Sequence, residues 1–349
     1  MSAYRIALLP GDGIGPEVVA EAMRVLRAVE PRAGIRLDCE EFGVGAGEYL
    51  RSGDPLPPPV FERLGGFDAI LLGAMGLPGV RYPTGVEMTP QLDLRERLEL
   101  YCGLRPIYLF HAGDSPLRGR TAGGIDLVLV RESTDGLFSS RLHQPEPGAD
   151  QVTDTMRITR AGADRVIRAA FREAQRRRRH VTLVDKANVL PSMAFFRSVF
   201  DRVAAGFPGI AADRVYVDAA ALYLVQAPER FDVMVTENMF GDILSDLAAG
   251  LVGGMGMAPS GDIGDRYAVF QPSHGSAPDI AGKNKANPLG AIGSVAAMLE
   301  YTFGLVKEAA AVNSAIGKVL ESGKVTADLR PKGKPATTTE VGQAVSENL

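Results

Sequence analysis

The stretch Leu9-Pro10-Gly11-Asp12-Gly13-Ile14-Gly15-Pro16-Glu17 follows an apolar run, Ile6–Leu9, that reads as a first strand. A glycine-rich turn at that point raises the question of a dinucleotide fold. The dinucleotide fingerprint needs G-x-G-x-x-G across the turn, the last glycine allowing helix and strand to pack closely. Gly11 and Gly13 fit, but Pro16 occupies the third glycine position. The Rossmann reading fails, and so does a Walker loop, because no G-x-x-x-x-G-K-[ST] occurs in the chain. Alone, the stretch is a tight strand-to-helix turn. Pro16 suits the first helical turn, where a missing N–H costs nothing.

Working outward, short apolar runs alternate with segments of helical period, the pattern of an α/β protein. The runs are Ile6–Leu9, Ala69–Leu72, Asp126–Val130, Val181–Val184, Arg214–Val217 and Val233–Thr236; the amphipathic segments include Pro16–Val29, Gly162–Gln175 and Pro191–Ala204. Asp54–Pro59 reads as a stiff proline loop. Thr134–Met156 lacks helical periodicity, and a segment that long in a compact domain reads as a lid, an arm or a partner-binding element. Gly250–Asp265, rich in Gly and Met, reads as a loop and a possible crossover between domains.

The 349 residues suffice for two domains, and 46% hydrophobic with 23% charged residues is an ordinary globular balance. Two cysteines, Cys39 and Cys102, outside any CxxC or Cys/His cluster, argue against a disulfide framework and a structural zinc site. A cytoplasmic location is expected: the first residues lack the signal-peptide pattern, and no apolar run approaches the roughly 20 residues that cross a bilayer. A net charge of −4 disfavours nucleic acid as a partner. The basic cluster Arg176–Arg179 reads as a solvated helix end.

Four further motifs carry chemistry. Asp242 and Asp246, in Gly241-Asp242-Ile243-Leu244-Ser245-Asp246, are four residues apart and share a helix face. With apolar Ile243, Leu244, Leu247 and Ala248 around them, the helix is expected to be largely buried. Oxygen ligands there select a hard cation, Mg²⁺ or Mn²⁺; the bland reading is a solvated charged face. Lys186, in Val184-Asp185-Lys186-Ala187-Asn188-Val189-Leu190, stands at a strand end where α/β proteins place ligands, and can carry a proton or be an ordinary surface lysine. Arg95, Arg105 and Arg131 sit on separate elements and can each hold a carboxylate bidentately, although each alone reads as a surface residue. His274-Gly275-Ser276-Ala277-Pro278-Asp279-Ile280-Ala281-Gly282, followed by Asn287-Pro288, has small residues that permit close backbone approach to a ligand.

Taken in order, LPGDGIGPE, LRP, VRES, VDKANVL, YVDAAALYLV, NMFGDILSDLAAGL and HGSAPDIAGK-x-x-ANP resemble the β-decarboxylating dehydrogenases, the family that includes isopropylmalate, isocitrate, homoisocitrate, tartrate and D-malate dehydrogenases. The resemblance runs from about Ile6 to Gly304. It implies a two-domain, non-Rossmann α/β fold, with residues 1–98 plus 252–349 forming a large NAD-binding domain. Residues 99–251 would form a smaller domain carrying the dimer interface and an intersubunit clasp at about 134–156. A homodimer with shared active sites is implied, Lys186, Asn188 and Asp218 reaching the site of the other subunit. Arg95, Arg105 and Arg131 are implied as substrate-carboxylate ligands, and Asp218, Asp242 and Asp246 as ligands of Mg²⁺ or Mn²⁺. Lys186, with Asp218, would take the hydroxyl proton of a small 2-hydroxy acid. His274, Gly275, Ser276, Ala277, Asp279, Ile280 and Asn287 resemble the adenosine loop. A carboxylate at Asp279 accepts ribose hydroxyl hydrogen bonds and repels a 2′-phosphate, pointing to NAD.

The chain departs from the pattern at three places. Phe138 stands where the family has a tyrosine that protonates the enol; the ring is kept but no proton is available, which leaves slow decarboxylation, protonation by another group, or oxidation without decarboxylation. Gln91 and Met88 stand where isopropylmalate enzymes carry a leucine and a glutamate; Gln91 is a poor wall for an isopropyl group but can hydrogen-bond a polar substituent. Gln271 replaces a glutamate before the histidine loop, with consequences for nicotinamide contacts. These changes leave a 2-hydroxy di- or tricarboxylate as the expected substrate, with 3-isopropylmalate the leading member and a more polar tartrate- or D-malate-type acid the runner-up. A non-catalytic regulatory subunit is the alternative from another class; Phe138 favours it, whereas the retained Lys186, Asp218, Asp242 and Asp246 count against it. The hydroxythreonine-phosphate dehydrogenases share the opening motif but use a histidine-containing metal site, which GDILSDL argues against.

Overall fold

The computed structural model describes residues 2–141, 143 and 148–349. Ten strands form one sheet: β1 (Ser2–Gly11), β2 (Ile35–Glu41), β3 (Ala69–Ala74), β4 (Cys102–Tyr108), β5 (Asp126–Glu132), β6 (His180–Asp185), β7 (Ala211–Tyr216), β8 (Val233–Thr236), β9 (Pro259–Ile263) and β10 (Ala268–Pro272). The helices are α1 (Gly15–Ala33), α2 (Ala46–Ser52), α3 (Pro58–Leu64), α4 (Pro90–Arg97), α5 (Arg160–Gln175) and α6 (Pro191–Ala204), followed by α7 (Val217–Gln226), α8 (Asn238–Gly250), α9 (Leu289–Tyr301), α10 (Val306–Ser322) and α11 (Thr338–Glu347).

The strand order is β2-β1-β3-β10-β9-β4-β5-β8-β6-β7. Two parallel blocks, β2-β1-β3-β10 and β5-β8-β6-β7, are joined through antiparallel pairings of β9 with β10, β9 with β4, and β4 with β5. Parallel strands covered by helices read as continuous apolar runs, as in β3, which is buried along its whole length. Two apolar clusters lie within residues 6–100 and 257–345, and two others within 101–252.

The strands expected from the apolar runs all form, and α6 spans the expected residues Pro191–Ala204. Two expectations need correction. Gly250–Asp265 is not all loop, because Pro259–Ile263 forms β9 at the centre of the sheet. Its Gly, Ser and Asp have little strand preference; pairing on both sides supplies what propensity does not. Asp54–Pro59 is a loop only as far as Pro57, since prolines 58 and 59 open α3. The Arg176–Arg179 cluster follows α5 as a solvated helix end, with Arg176, Arg178 and Arg179 exposed, and its first three arginines are also ion-paired. Arg177 bonds Asp126 at 2.6 Å and Asp232 at 2.9 Å, and Arg176 bonds Glu173 at 2.5 Å.

Within the arm expected at 134–156, Leu137–Ser140 is a 3-10 turn, and Gly136 pairs antiparallel with Arg157 at the base. Leu142, Gln144, Pro145, Glu146 and Pro147 of that arm lie outside the described residues. Among the described residues, no helix is long and apolar enough to cross a membrane.

Candidate active site

The antiparallel centre of the sheet places charged residues on one face. Asp262 on β9 is in register with Gly103 on β4, and Gly103 with Arg131 on β5. Directly opposed residues share a face, as do residues two apart along a strand. Asp262, Arg131, Arg105 and Gln271 therefore converge, with the bare Gly103 between them.

The α4 helix brings Gln91 and Arg95 over this face, and α8 brings Asp242, Ser245 and Asp246. Together with Phe138, Gln271, His274 and Gly275 these residues line a cavity of about 300 Å³. A wider groove of about 660 Å³ runs past Arg27, Cys39, Glu48 and Arg51. In that groove Arg51 and Glu48 already neutralise each other at 2.6 Å. Convergent charge, not volume, makes the smaller cavity the candidate site.

Each arginine is held by its own partners. Arg95 Nε donates to Asp262 Oδ2 at 2.9 Å, and Arg105 Nη2 to Asp262 Oδ1 at 3.1 Å. Arg131 donates from Nε and Nη2 to Asn238 Oδ1 at 2.9 and 2.7 Å, and from Nη1 to Asp242. Its guanidinium carbon lies 5.2 Å from the centroid of the Phe138 ring. Burial, assisted by the positive charge of Arg95, lowers the Arg131 pKa to about 10. Burial alone would raise the Asp262 carboxyl; the charges of Arg95, Arg105 and Arg131 outweigh it and hold that pKa down at about 2.

Local folding explains why these groups stay in place. Glu237 caps α8, accepting from the amides of Phe240 at 2.6 Å and Met239 at 3.1 Å. The next residue, Asn238, is thereby set beneath Arg131 and donates to the Asp135 carbonyl at 2.8 Å. Gly241 is required by close approach, since a Cβ there would meet the Arg131 side chain at 2.6 Å. The opening turn has a comparable role. The Asp12 carboxylate accepts from the amides of Ala46, Gly47 and Gly76, and Ile14 N donates to the Ser276 carbonyl at 2.8 Å. A Cβ on Gly13, which sits at a φ of +59°, would strike that carbonyl. The turn thus braces the histidine loop.

Asp242 and Asp246 share the cavity wall, but one sequence expectation about them is wrong. Their helix is not largely buried: Ile243 is 56% exposed, because only the Leu244/Ala248 face packs inward. Desolvation and the neighbouring Asp242 charge raise the Asp246 pKa, so the pair repels itself where it stands. A like-charged oxygen pair on adjacent turns fits a divalent cation. Among the described residues of one chain, no three His, Cys, Asp or Glu side chains converge as a metal-ligand group.

Lys186, Asn188 and Asp218 stand apart from the cavity lining. Lys186 Nζ donates to Asp218 Oδ1 at 2.6 Å, and that bond lowers the Asp218 pKa. The strand end that carries Lys186 is fixed by fully buried Asp185, whose carboxylate accepts from Arg197 at 2.7 and 2.6 Å and from Ala187 N at 3.0 Å. Asn188 and Asp218 are exposed.

In the histidine loop, His274 Nε2 is buried without a hydrogen-bond partner, and burial lowers the His274 pKa. Ser276 bonds the Gly76 carbonyl, and Asn287 Nδ2 donates to Asp328 at 3.0 Å. Ala277 adopts a positive φ of 36°. Asp279 is exposed beside half-buried Ile280. Met88 is fully buried and absent from the cavity lining, whereas Gln91 reaches it with an Oε1 that has no partner.

Asp262 lies outside every quoted motif, and Asn238, Asp185 and Asp12 lie inside motifs that give them no task. Each is an ordinary acid or amide in sequence, and only its burial against cations or amides reveals its task.

The chain matches the isocitrate/isopropylmalate dehydrogenase family over residues 5–345. It is 45% identical to a 3-isopropylmalate dehydrogenase of Moorella thermoacetica, with 99% of each chain covered. It is 42% identical to one of Heyndrickxia coagulans, covering 99% of this chain and 96% of that one. Among solved structures, isocitrate dehydrogenase from Methylococcus capsulatus superposes with a TM-score of 0.88 at 36% identity, covering 99% of both chains. A β-decarboxylating dehydrogenase from Thermococcus kodakarensis gives 0.82 at 37% identity, covering 99% of this chain and 96% of that one.

Proposed function

This chain belongs to the isocitrate/isopropylmalate dehydrogenase family, a family of β-decarboxylating oxidoreductases, and from that premise we propose NAD- and divalent-metal-dependent oxidation of a 2-hydroxy dicarboxylate, with 3-isopropylmalate the leading substrate. The observation that carries the reading is the convergence of Arg95, Arg105 and Arg131 with Asp242 and Asp246 in one cavity. Three guanidinium groups suit substrate carboxylates, and two oxygen donors suit Mg²⁺ or Mn²⁺.

When bound, NAD accepts the hydride from the carbinol carbon and the metal ion polarises the substrate oxygen. The arginines bind and orient the carboxylates. Lys186 of a second copy, bonded to Asp218 of that copy, receives the hydroxyl proton, and the same Asp218 completes the Asp242/Asp246 ligand set; Asn188 contacts substrate from that side. His274, with its unpartnered Nε2, and Gly275, Ser276, Ala277, Asp279, Ile280 and Asn287 hold the cofactor. Phe138 shields the reacting centre but donates no proton, so an enol product is protonated by another group or by solvent.

This sharing requires a homodimer, and exposed apolar side chains offer a surface for one. Helices α7 and α8 pack together and present exposed Leu222 (51%), Val225 (42%) and Ile243 (56%). The arm at 134–156 is assigned as the intersubunit clasp. Residues 1–98 with 252–349 form the cofactor domain and 99–251 the dimer domain. The free thiols Cys39 and Cys102 suit a cytoplasmic setting.

Gln91 supports a second reading. Its unpartnered Oε1 in the cavity wall calls for a donor on the ligand, which favours a tartrate- or D-malate-type substrate over an isopropyl group. The deciding experiment is a panel of isopropylmalate, isocitrate, tartrate and D-malate with NAD and Mn²⁺, following NADH and CO₂ together. Isopropylmalate turnover with both products supports the first reading and faster tartrate or D-malate turnover the second. Absence of turnover across the panel defeats both and points to a non-catalytic subunit of the same fold.

A further inference from the structure

Asp262 lies beneath the arginine cluster, 1% exposed, and its carboxylate accepts from three side chains. Its Oδ2 accepts from Arg95 Nε at 2.9 Å and Gln271 Nε2 at 3.0 Å, and its Oδ1 from Arg105 Nη2 at 3.1 Å. Nη1 of Arg105 is spent on the carbonyls of Leu104 at 3.0 Å and Gly261 at 3.3 Å. Arg131 is committed to Asn238 and Asp242. Of the three cluster arginines, Arg95 is the one whose Nη1/Nη2 edge makes no bond inside the protein.

We propose that Asp262 is a specificity-determining residue: its carboxylate occupies the faces of Arg95 and Arg105 that a substrate anion would otherwise take, matching the cavity to a dicarboxylate and excluding a tricarboxylate. The inference deepens the function proposed above and rests on it in one respect, that the arginine cluster is the substrate-carboxylate site.

The charges support it. Three guanidinium groups face one internal carboxylate, so two positive charges remain for substrate; Asp242 and Asp246 are balanced by a divalent ion. A third substrate carboxylate would approach Asp262 in a buried site where like charges interact strongly. Gln271 fits the same logic. Its amide donates to Asp262, whereas an acid there would set two carboxylates side by side. Gly103, in register with both Asp262 and Arg131, has no room for a side chain, since a Cβ there would meet Ser133 Oγ at 2.5 Å.

The test is calorimetric titration of the full-length protein saturated with Mg²⁺ and free of NAD, with glutarate and tricarballylate, which lack the hydroxyl and are not oxidised. The wild type is expected to bind glutarate more tightly by at least about tenfold, because an opposed like charge costs more than one decade in affinity. Asp262→Asn, which keeps the shape and removes the charge, is expected to erase or reverse that preference. A purely structural role for Asp262 would weaken both ligands alike, and that result overturns the proposal. Should the variant fail to fold, the wild-type comparison still decides: tricarballylate binding as tightly as glutarate overturns it. Because neither ligand reacts, the comparison reads out whether or not any hydroxy acid yields NADH.

Discussion

Arg131 donates to Asp242 from below while Asn238 holds the rest of the same guanidinium. A group that can orient a substrate carboxylate is thus coupled to one of the acids proposed to hold the metal. Removing the acid loses the ion and also leaves a buried cation short of a partner. Asp242→Asn is expected to lower Mn²⁺-dependent kcat/KM at least about 10³-fold, the scale of a lost electrophile. Steady-state NADH formation measures it; near-wild-type activity, or full activity in excess chelator, would remove the metal from the chemistry.

Lys186 and Asp218 bond each other at 2.6 Å yet do not line the cavity that holds Asp242. Sharing between subunits therefore predicts complementation. Lys186→Ala and Asp242→Asn should each be inactive, but co-refolded chains should regain activity, approaching about a quarter of the wild-type sites for random pairing in a twofold dimer. Assays on the mixture check this, and an inactive mixture containing folded hybrid dimers would rule sharing out.

Asp279 is exposed at the edge of the histidine loop. Asp279→Lys should replace repulsion of a 2′-phosphate with attraction, moving the NAD-to-NADP ratio of kcat/KM by about tenfold or more toward NADP. An unchanged ratio would show that the ribose lies elsewhere.

Phe138 faces Arg131 with a ring that has no proton to give. If the reaction decarboxylates, Phe138→Tyr restores an acid and should speed product protonation, by about 10²-fold where that step limits the rate. CO₂ and NADH followed together in single turnovers provide the measurement. An unaltered CO₂ yield and rate would indicate that enol protonation does not limit this enzyme.

Asp262 titrates at about 2, below the roughly 3.9 of an unfolded aspartate. A carboxyl with a depressed folded pKa contributes stability fully above the unfolded value and loses it as pH falls through the folded one. The wild type should therefore lose stability between about pH 4 and pH 2, and Asp262→Asn should lose less over that window. Urea midpoints at stepped pH report this directly; parallel curves for the two proteins would show that Asp262 is not the titrating group.

Residue order alone established the α/β alternation, the failure of the Rossmann turn at Pro16, and the residues worth watching. Those signals are local: short continuous apolar runs, a proline where a glycine is needed, two aspartates four apart. Motif order then supplied the family resemblance. It did not reveal β9, whose Pro, Ser, Gly and Asp resist a strand reading until β4 and β10 bond to both its edges. Nor did it show that Ile243 faces outward, because helical spacing gives the faces but not which one is covered. Asp262 is the clearest case. It is an unremarked acid in a glycine-rich stretch, 167 residues from Arg95 and 157 from Arg105. Contacts of that span form only when the sheet closes, so tertiary structure decided how much of the arginine cluster is left for substrate.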